Sequence, residues 1–177
     1  MNWVDASEIV CGLILSKKPG IGINSVHADL FISIHCNAAD AGIARGVMSF
    51  VLDTTRDEVA ARVAARENAT SVDATSQVAS IASNLRLADL AARSTRLAEL
   101  LQRTTMASLA TRFSDATDQG VKTAGFFVLL GAEMPSVLFE ASFISNPVEE
   151  KRLAAADYRQ KLADGIVNAV KAYREGR

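Results

Sequence analysis

The sequence predicts an α/β domain on a twisted, mostly parallel sheet with helices on both faces and a long helical insertion. Strand-like and helix-like segments alternate along the chain, as they do where parallel strands are joined by helical crossovers. The run Leu30 to Ile34 is apolar on both faces except at Ser33, the pattern of a strand covered by helices on each side. Between Asp73 and Phe113 there is neither glycine nor proline, and apolar residues recur at roughly helical spacing.

A chain of 177 residues with 49% hydrophobic content is long enough for one domain, 1–177, with a sizeable core. Its formal net charge of -1 excludes nucleic acid or an anionic membrane as a partner held by bulk electrostatics. A secretory leader needs a basic start and an apolar stretch, but Met1 to Glu8 carries two acids and no base. The apolar run Ile9 to Leu15 is short and broken by Gly12. No segment is long and apolar enough to read as a transmembrane helix. Cys11 and Cys36 allow at most one bridge, which decides nothing about compartment.

Taken in order, Lys17 to Asn24 is a loop containing Pro19, Gly20 and Gly22. Strands are expected at Leu30 to Ile34, Gly46 to Leu52 and Gly125 to Leu130, the last two each opened by a glycine. A fourth follows at Ser136 to Glu140 after Pro135, which cannot donate to a ladder and so belongs at a strand start. Asp57 to Asn68 is expected to be a helix of about three turns, its spacing set by Val59, Val63 and Arg66. Asp73 to Phe113 reads as one long helix or two abutting ones, with a break near Arg93 to Thr95. Asn146 and Pro147 give a cap and a first-turn proline. Tyr158, Leu162, Ile166, Ala169 and Tyr173 then mark one face of a terminal helix.

Two strands end in residues that carry chemistry. His35 closes ADLFISIH and Glu140 closes PSVLFE. In open α/β sheets ligands bind outside the carboxyl ends of the strands, so both side chains reach one crevice if their strands are neighbours. A lone histidine at a strand end is more often hydrogen-bonded structure than a metal ligand. A glutamate after four apolar residues is harder to dismiss, because an ionised carboxylate costs several kcal/mol to desolvate unless it is paired or used.

These stretches, with GVKTAGFFVLLGAEMPSVLFE from Gly120 to Glu140, FISNPVEEKRL from Phe143 to Leu153 and the terminal YRQKLADGIVNAVKAY, resemble the zinc-dependent N-acetylmuramoyl-L-alanine amidases of the type 3 class. The resemblance covers roughly 150 residues, from about Ala28 onward. It implies a peptidoglycan hydrolase that cuts the amide between N-acetylmuramic acid and the L-alanine of the stem peptide. It implies His35 as a zinc ligand and Glu140 as the catalytic acid/base. A catalytic zinc takes three protein ligands and leaves a position for water, whose pKa it lowers. The resemblance also implies a periplasmic or cell-envelope setting and a role in cell division. The helical insertion, 57–113, would be a segment on which an activator protein acts.

The chain departs from the family pattern at its start. The first zinc histidine of the family comes from a Gly-His-Gly type turn and the next ligand from a glutamate soon afterwards, and neither is visible, so 1–27 reads as a divergent or truncated start. On this reading the zinc site is incomplete, and weak zinc binding and little peptide release are expected. His27 lies eight positions before His35, about 26 Å away along a strand at about 3.3 Å per residue, too far to share an ion. Cys36 should point away from the His35 face, and neither it nor Asp40 matches a family ligand. For Arg66 to Asn84 a mobile regulatory cover and plain scaffold both stand, while Leu97 to Phe113 reads as scaffold. The alternative function is a catalytically inactive relative that binds peptidoglycan or an activator.

Overall fold

The computed structural model describes residues 24–25, 27–39, 42–53, 57–69 and 86–176. Strands β1 (Phe31–Asn37), β2 (Val47–Leu52), β3 (Asp118–Ala124) and β4 (Ser136–Phe143) form one sheet in the order β1-β4-β2-β3. Helices α1 (Glu58–Glu67), α2 (Arg86–Ala110), α3 (Pro147–Ala154) and α4 (Ala156–Arg174) pack around it. The sheet is mostly parallel: β1 runs with β4 and β2 with β3, whereas β2 and β4 meet antiparallel.

Alternation along the strands divides the core between two faces. Val47, Val51, Val137, Phe139 and Ala141 meet α2 and α4 through Leu97, Leu101, Tyr158, Leu162 and Ile166. Met48, Phe50 and Leu138 point the other way, where Ala60, Val63 and Ala64 of α1 cover them together with Phe126 and Leu129. The helices of 57–113 therefore serve opposite faces, and both supply core.

Several expectations are corrected. The buried stripe of α1 is Ala60, Val63 and Ala64, while Val59 is 57% exposed and Arg66 is also exposed. The alanines let the helix lie close to the sheet, which the larger Val59 would hold off. No break occurs near Arg93 to Thr95; α2 is continuous through it. The polar residues there have partners: Ser94 Oγ accepts from Ser136 N of β4 at 3.0 Å, and Thr95 Oγ1 donates back to Ala91 O of its own helix at 2.9 Å. Residues 70–85, including most of the Arg66 to Asn84 segment, lie outside the described residues, as do Lys17 to Ile23.

Gly125 to Leu130 is not a strand. Phe127–Leu129 is a 3-10 turn, and its backbone bonds are local, Leu129 N to Phe126 O at 3.2 Å and Leu130 N to Phe127 O at 3.1 Å. A short apolar run without a period cannot distinguish a buried turn from a buried strand. The strand is the preceding Asp118–Ala124, polar because it is a sheet edge, with Gly120 at φ 74 where the register with β2 shifts.

After β4 the chain enters α3 through Asn146, whose side chain accepts from Val148 N and Glu149 N ahead of Pro147. Buried Glu149 then accepts from Gly46 N at 2.8 Å and Phe143 N at 2.7 Å. Gly46 has φ 114, and a β-carbon there would sit 2.6 Å from Thr117 O, so the turn into β2 needs glycine.

Candidate active site

His35 and Glu140 are register partners across the parallel β1–β4 pair, and Met48 of β2 partners Glu140 on the other side. Partners in a sheet share a face, so Glu140 sits between His35 and Met48 on the side covered by α1. The strands continue past both residues, to Asn37 and Phe143, with a register shift between His35 and Asn37. The site thus lies on the sheet face near the carboxyl ends of the strands and not in a crevice beyond them. Ile144 N donating to Asn37 O at 2.8 Å extends the pairing and produces this difference.

A third group completes the arrangement. His35 Nδ1 donates to Glu67 Oε2 at 2.7 Å, and one ligand atom from each of His35, Glu67 and Glu140 lies within 4.8 Å of the others. Glu140 is 0% exposed, yet neither carboxylate oxygen has a hydrogen-bond partner. Glu149, the other buried carboxylate of this region, has both its oxygens bonded to backbone amides. A structural glutamate looks like Glu149; Glu140 holds its lone pairs ready for something else.

The electrostatics agree. Burial pushes the Glu140 carboxyl up to about 7, the Glu67 charge adds to this, and His35 opposes it. The hydrogen bond to Glu67 raises the His35 pKa against the opposing effect of burial, and the charges of Glu67 and Glu140 raise it further. An imidazole nitrogen and carboxylate oxygens are donors that zinc accepts. The unbonded Glu140 oxygens beside the His35–Glu67 pair mark a place that a cation fits.

Glu67 reaches His35 because the end of α1 is tied down. Arg66 donates to Ala38 O, just beyond β1, and Asn68 bonds the turn at 125–127. At its start the helix is capped by Asp57, which accepts from Val59 N at 2.8 Å and pairs with Lys122 at 2.5 Å. This pairing with Lys122 holds the Asp57 carboxyl below its usual range.

Of the residues weighed from sequence, the structure brings His35 and Glu140 together. His27 is exposed with φ 49 and is not in the group, and Cys36 is an exposed free thiol also outside it. Asp40 lies outside the described residues. Glu67 was missed. Its signal was present: it follows Ala60, Val63 and Ala64 at seven, four and three residues, an acid in line with the buried stripe at the exposed end of an amphipathic helix.

The family model for N-acetylmuramoyl-L-alanine amidases matches residues 13–172. The chain belongs to this amidase family. It is 35% identical over 149 residues to the N-acetylmuramoyl-L-alanine amidase LytC of Bacillus subtilis, a match covering 84% of this chain and 22% of LytC. The amidase AmiC of Neisseria meningitidis is 31% identical over 150 residues, with 82% of this chain and 36% of AmiC covered. The chain thus spans well under half the length of these curated relatives. Among solved structures, an amidase from Clostridium difficile 630 superposes with a TM-score of 0.59 at 24% identity, covering 89% of this chain and 64% of that one. AmiC2 of Nostoc punctiforme gives a TM-score of 0.57 at 21% identity, over 87% of this chain and 62% of its own. At these identities the structures speak for a shared amidase fold. The span matched to the amidase family contains His35, Glu67 and Glu140.

Proposed function

We propose that the chain is the catalytic part of a peptidoglycan hydrolase that cleaves the amide between N-acetylmuramic acid and L-alanine. The observation that carries the reading is the gathering of His35, Glu67 and Glu140 within 4.8 Å, with two unbonded oxygens on a fully buried carboxylate. Membership of the amidase family supplies the substrate class.

His35 and Glu67 would hold a zinc ion, with Glu140 beside them. Bound there, zinc would supply Lewis-acid polarisation of the scissile carbonyl and lower the pKa of water. Without metal, burial raises the Glu140 carboxyl to about 7; a bound cation beside it would favour the ionised form, the base. Glu140 can take a proton from the attacking water and return it to the leaving amine. Its burial excludes bulk water from the carboxylate, so the proton taken is kept for the leaving group. The ligand read from sequence was His35 alone; with Glu67 as a second, zinc-dependent release replaces the weak binding and little release expected from His35 by itself.

Cell-envelope placement and action during cell division belong to the same proposal and rest on the family's substrate. Among the described residues no helix is long and apolar enough to cross a membrane. Action of a protein partner on the region from the end of α1 onward is proposed as well. Among proteins of similar fold, the CwlD amidase of Clostridioides difficile was solved in complex with the GerS lipoprotein. The test is release of stem peptide from purified peptidoglycan with and without a chelator. Release that stops on chelation and returns with zinc is expected; undiminished release under chelation would refute the metal role.

A further inference from the structure

The last turn of α1 is held by a device separate from the ligand atoms. We propose that Asn68 is a positioning residue, holding the α1 terminus on a buried turn so that Glu67 stays on His35. This rests on the reading of His35, Glu67 and Glu140 as one centre.

Asn68 closes α1 in a helical conformation, its own N–H donating to Ala64 O at 2.9 Å. Its side chain then uses both ends of one amide on a single turn. Nδ2 donates to Gly125 O at 2.7 Å, and Oδ1 accepts from Phe127 N at 2.8 Å. A side-chain amide offers a donor and an acceptor at that separation, which an ionised carboxylate does not. The turn is a firm anchor, because Phe126 and Leu129 are buried in the core beneath α1 at 0% and 1% exposure.

The helix does not need Asn68 in order to stay on the sheet. Ala60, Val63 and Ala64 bury its face, and the Asp57–Lys122 pair secures its start. What Asn68 adds is the placement of the final turn, one residue from Glu67. Fixing the Glu67 carboxylate costs that side chain its rotamer freedom. A loose backbone would add to that cost, and a hydrogen bond of 2.7 Å to His35 leaves little slack.

The test uses Asn68→Ala and Asn68→Asp, with Arg152→Ala as a control that breaks the distant pair to Asp115. Two quantities are read: zinc affinity, and the hydrogen-bonded Nδ1 proton of His35 in the nuclear magnetic resonance spectrum of metal-free protein. Asn68→Ala is expected to weaken zinc binding by about 10- to 100-fold, as outer-shell changes do. It should also lose the Nδ1 resonance to solvent exchange. Asn68→Asp keeps an acceptor for Phe127 N but no donor for Gly125 O, and should fall between Asn68→Ala and the natural residue. Arg152→Ala should leave both readouts unchanged whatever it costs in stability. An intact resonance in Asn68→Ala, or a loss that Arg152→Ala reproduces, would overturn the proposal. Zinc binding indifferent to His35→Ala would instead refute the metal centre, and the metal-free resonance would still decide the role of Asn68.

Discussion

Glu140 and Glu149 are both buried glutamates near the end of one strand, and they differ in what their oxygens meet. Glu149 ties Gly46 N and Phe143 N together. Glu149→Ala strands two buried donors, each costing about 1 to 3 kcal/mol, so chemical denaturation should show a large loss of stability. Glu140 has no hydrogen bond to lose and carries a pKa raised to about 7. Folding therefore favours its protonated form. That contribution is complete below the ordinary carboxyl value of 4.5 and is lost as pH rises through about 7. In metal-free protein Glu140→Gln should gain on the natural chain by roughly 3 kcal/mol between pH 4.5 and pH 8, because the natural carboxyl, raised from 4.5 to about 7, must ionise while buried. Urea unfolding at the two pH values measures this, and a gap independent of pH would contradict the burial account. At this scale His35 and Glu140 were legible because apolar strands ending in polar groups stand out. Glu67 was obscured because Val59 and Arg66, both exposed, drew the helix spacing toward the wrong face.

Among the elements, α2 and α4 show how closely packing constrains sequence. Gly165 faces Thr105, and a β-carbon there would collide with the Thr105 backbone. Thr104 Oγ1 also donates to Gly165 O at 2.7 Å across the same crossing. Replacing a mid-helix glycine with alanine ordinarily gains about 1 kcal/mol in propensity. Here the backbone collision outweighs it, and Gly165→Ala should lower the thermal midpoint; a higher midpoint would show that the helices part without cost. Leu101→Ala, at a position 0% exposed under the sheet, should cost about 2 to 5 kcal/mol. That result would mark α2 as scaffold, whereas a loss below about 1 kcal/mol would mean the helix can leave the sheet. The caps and the terminal helix were readable because Asn-Pro and a four-residue apolar spacing have local causes. The turn at 125–130 was not, because its buried residues answer to the α1 face of the core and not to their neighbours in sequence.

For the whole molecule, alternating segments were enough to predict helices on both faces of a mostly parallel sheet. The strand order and the antiparallel β2–β4 contact were not readable, since both depend on pairings between residues about 90 positions apart, such as Met48 with Glu140. Yet that order makes the site. It sets β4 beside β1 with Glu140 level with His35, and leaves α1 to bring Glu67 down on the same face. The most direct test of this centre is stem-peptide release from peptidoglycan, with zinc content measured on the same sample, for the natural chain and for Glu140→Gln. The account predicts zinc-dependent release by the natural chain, and a fall of at least about 100-fold in Glu140→Gln with zinc still bound. Zinc-loaded natural chain that releases no peptide, or Glu140→Gln that releases it at an unchanged rate, would contradict it.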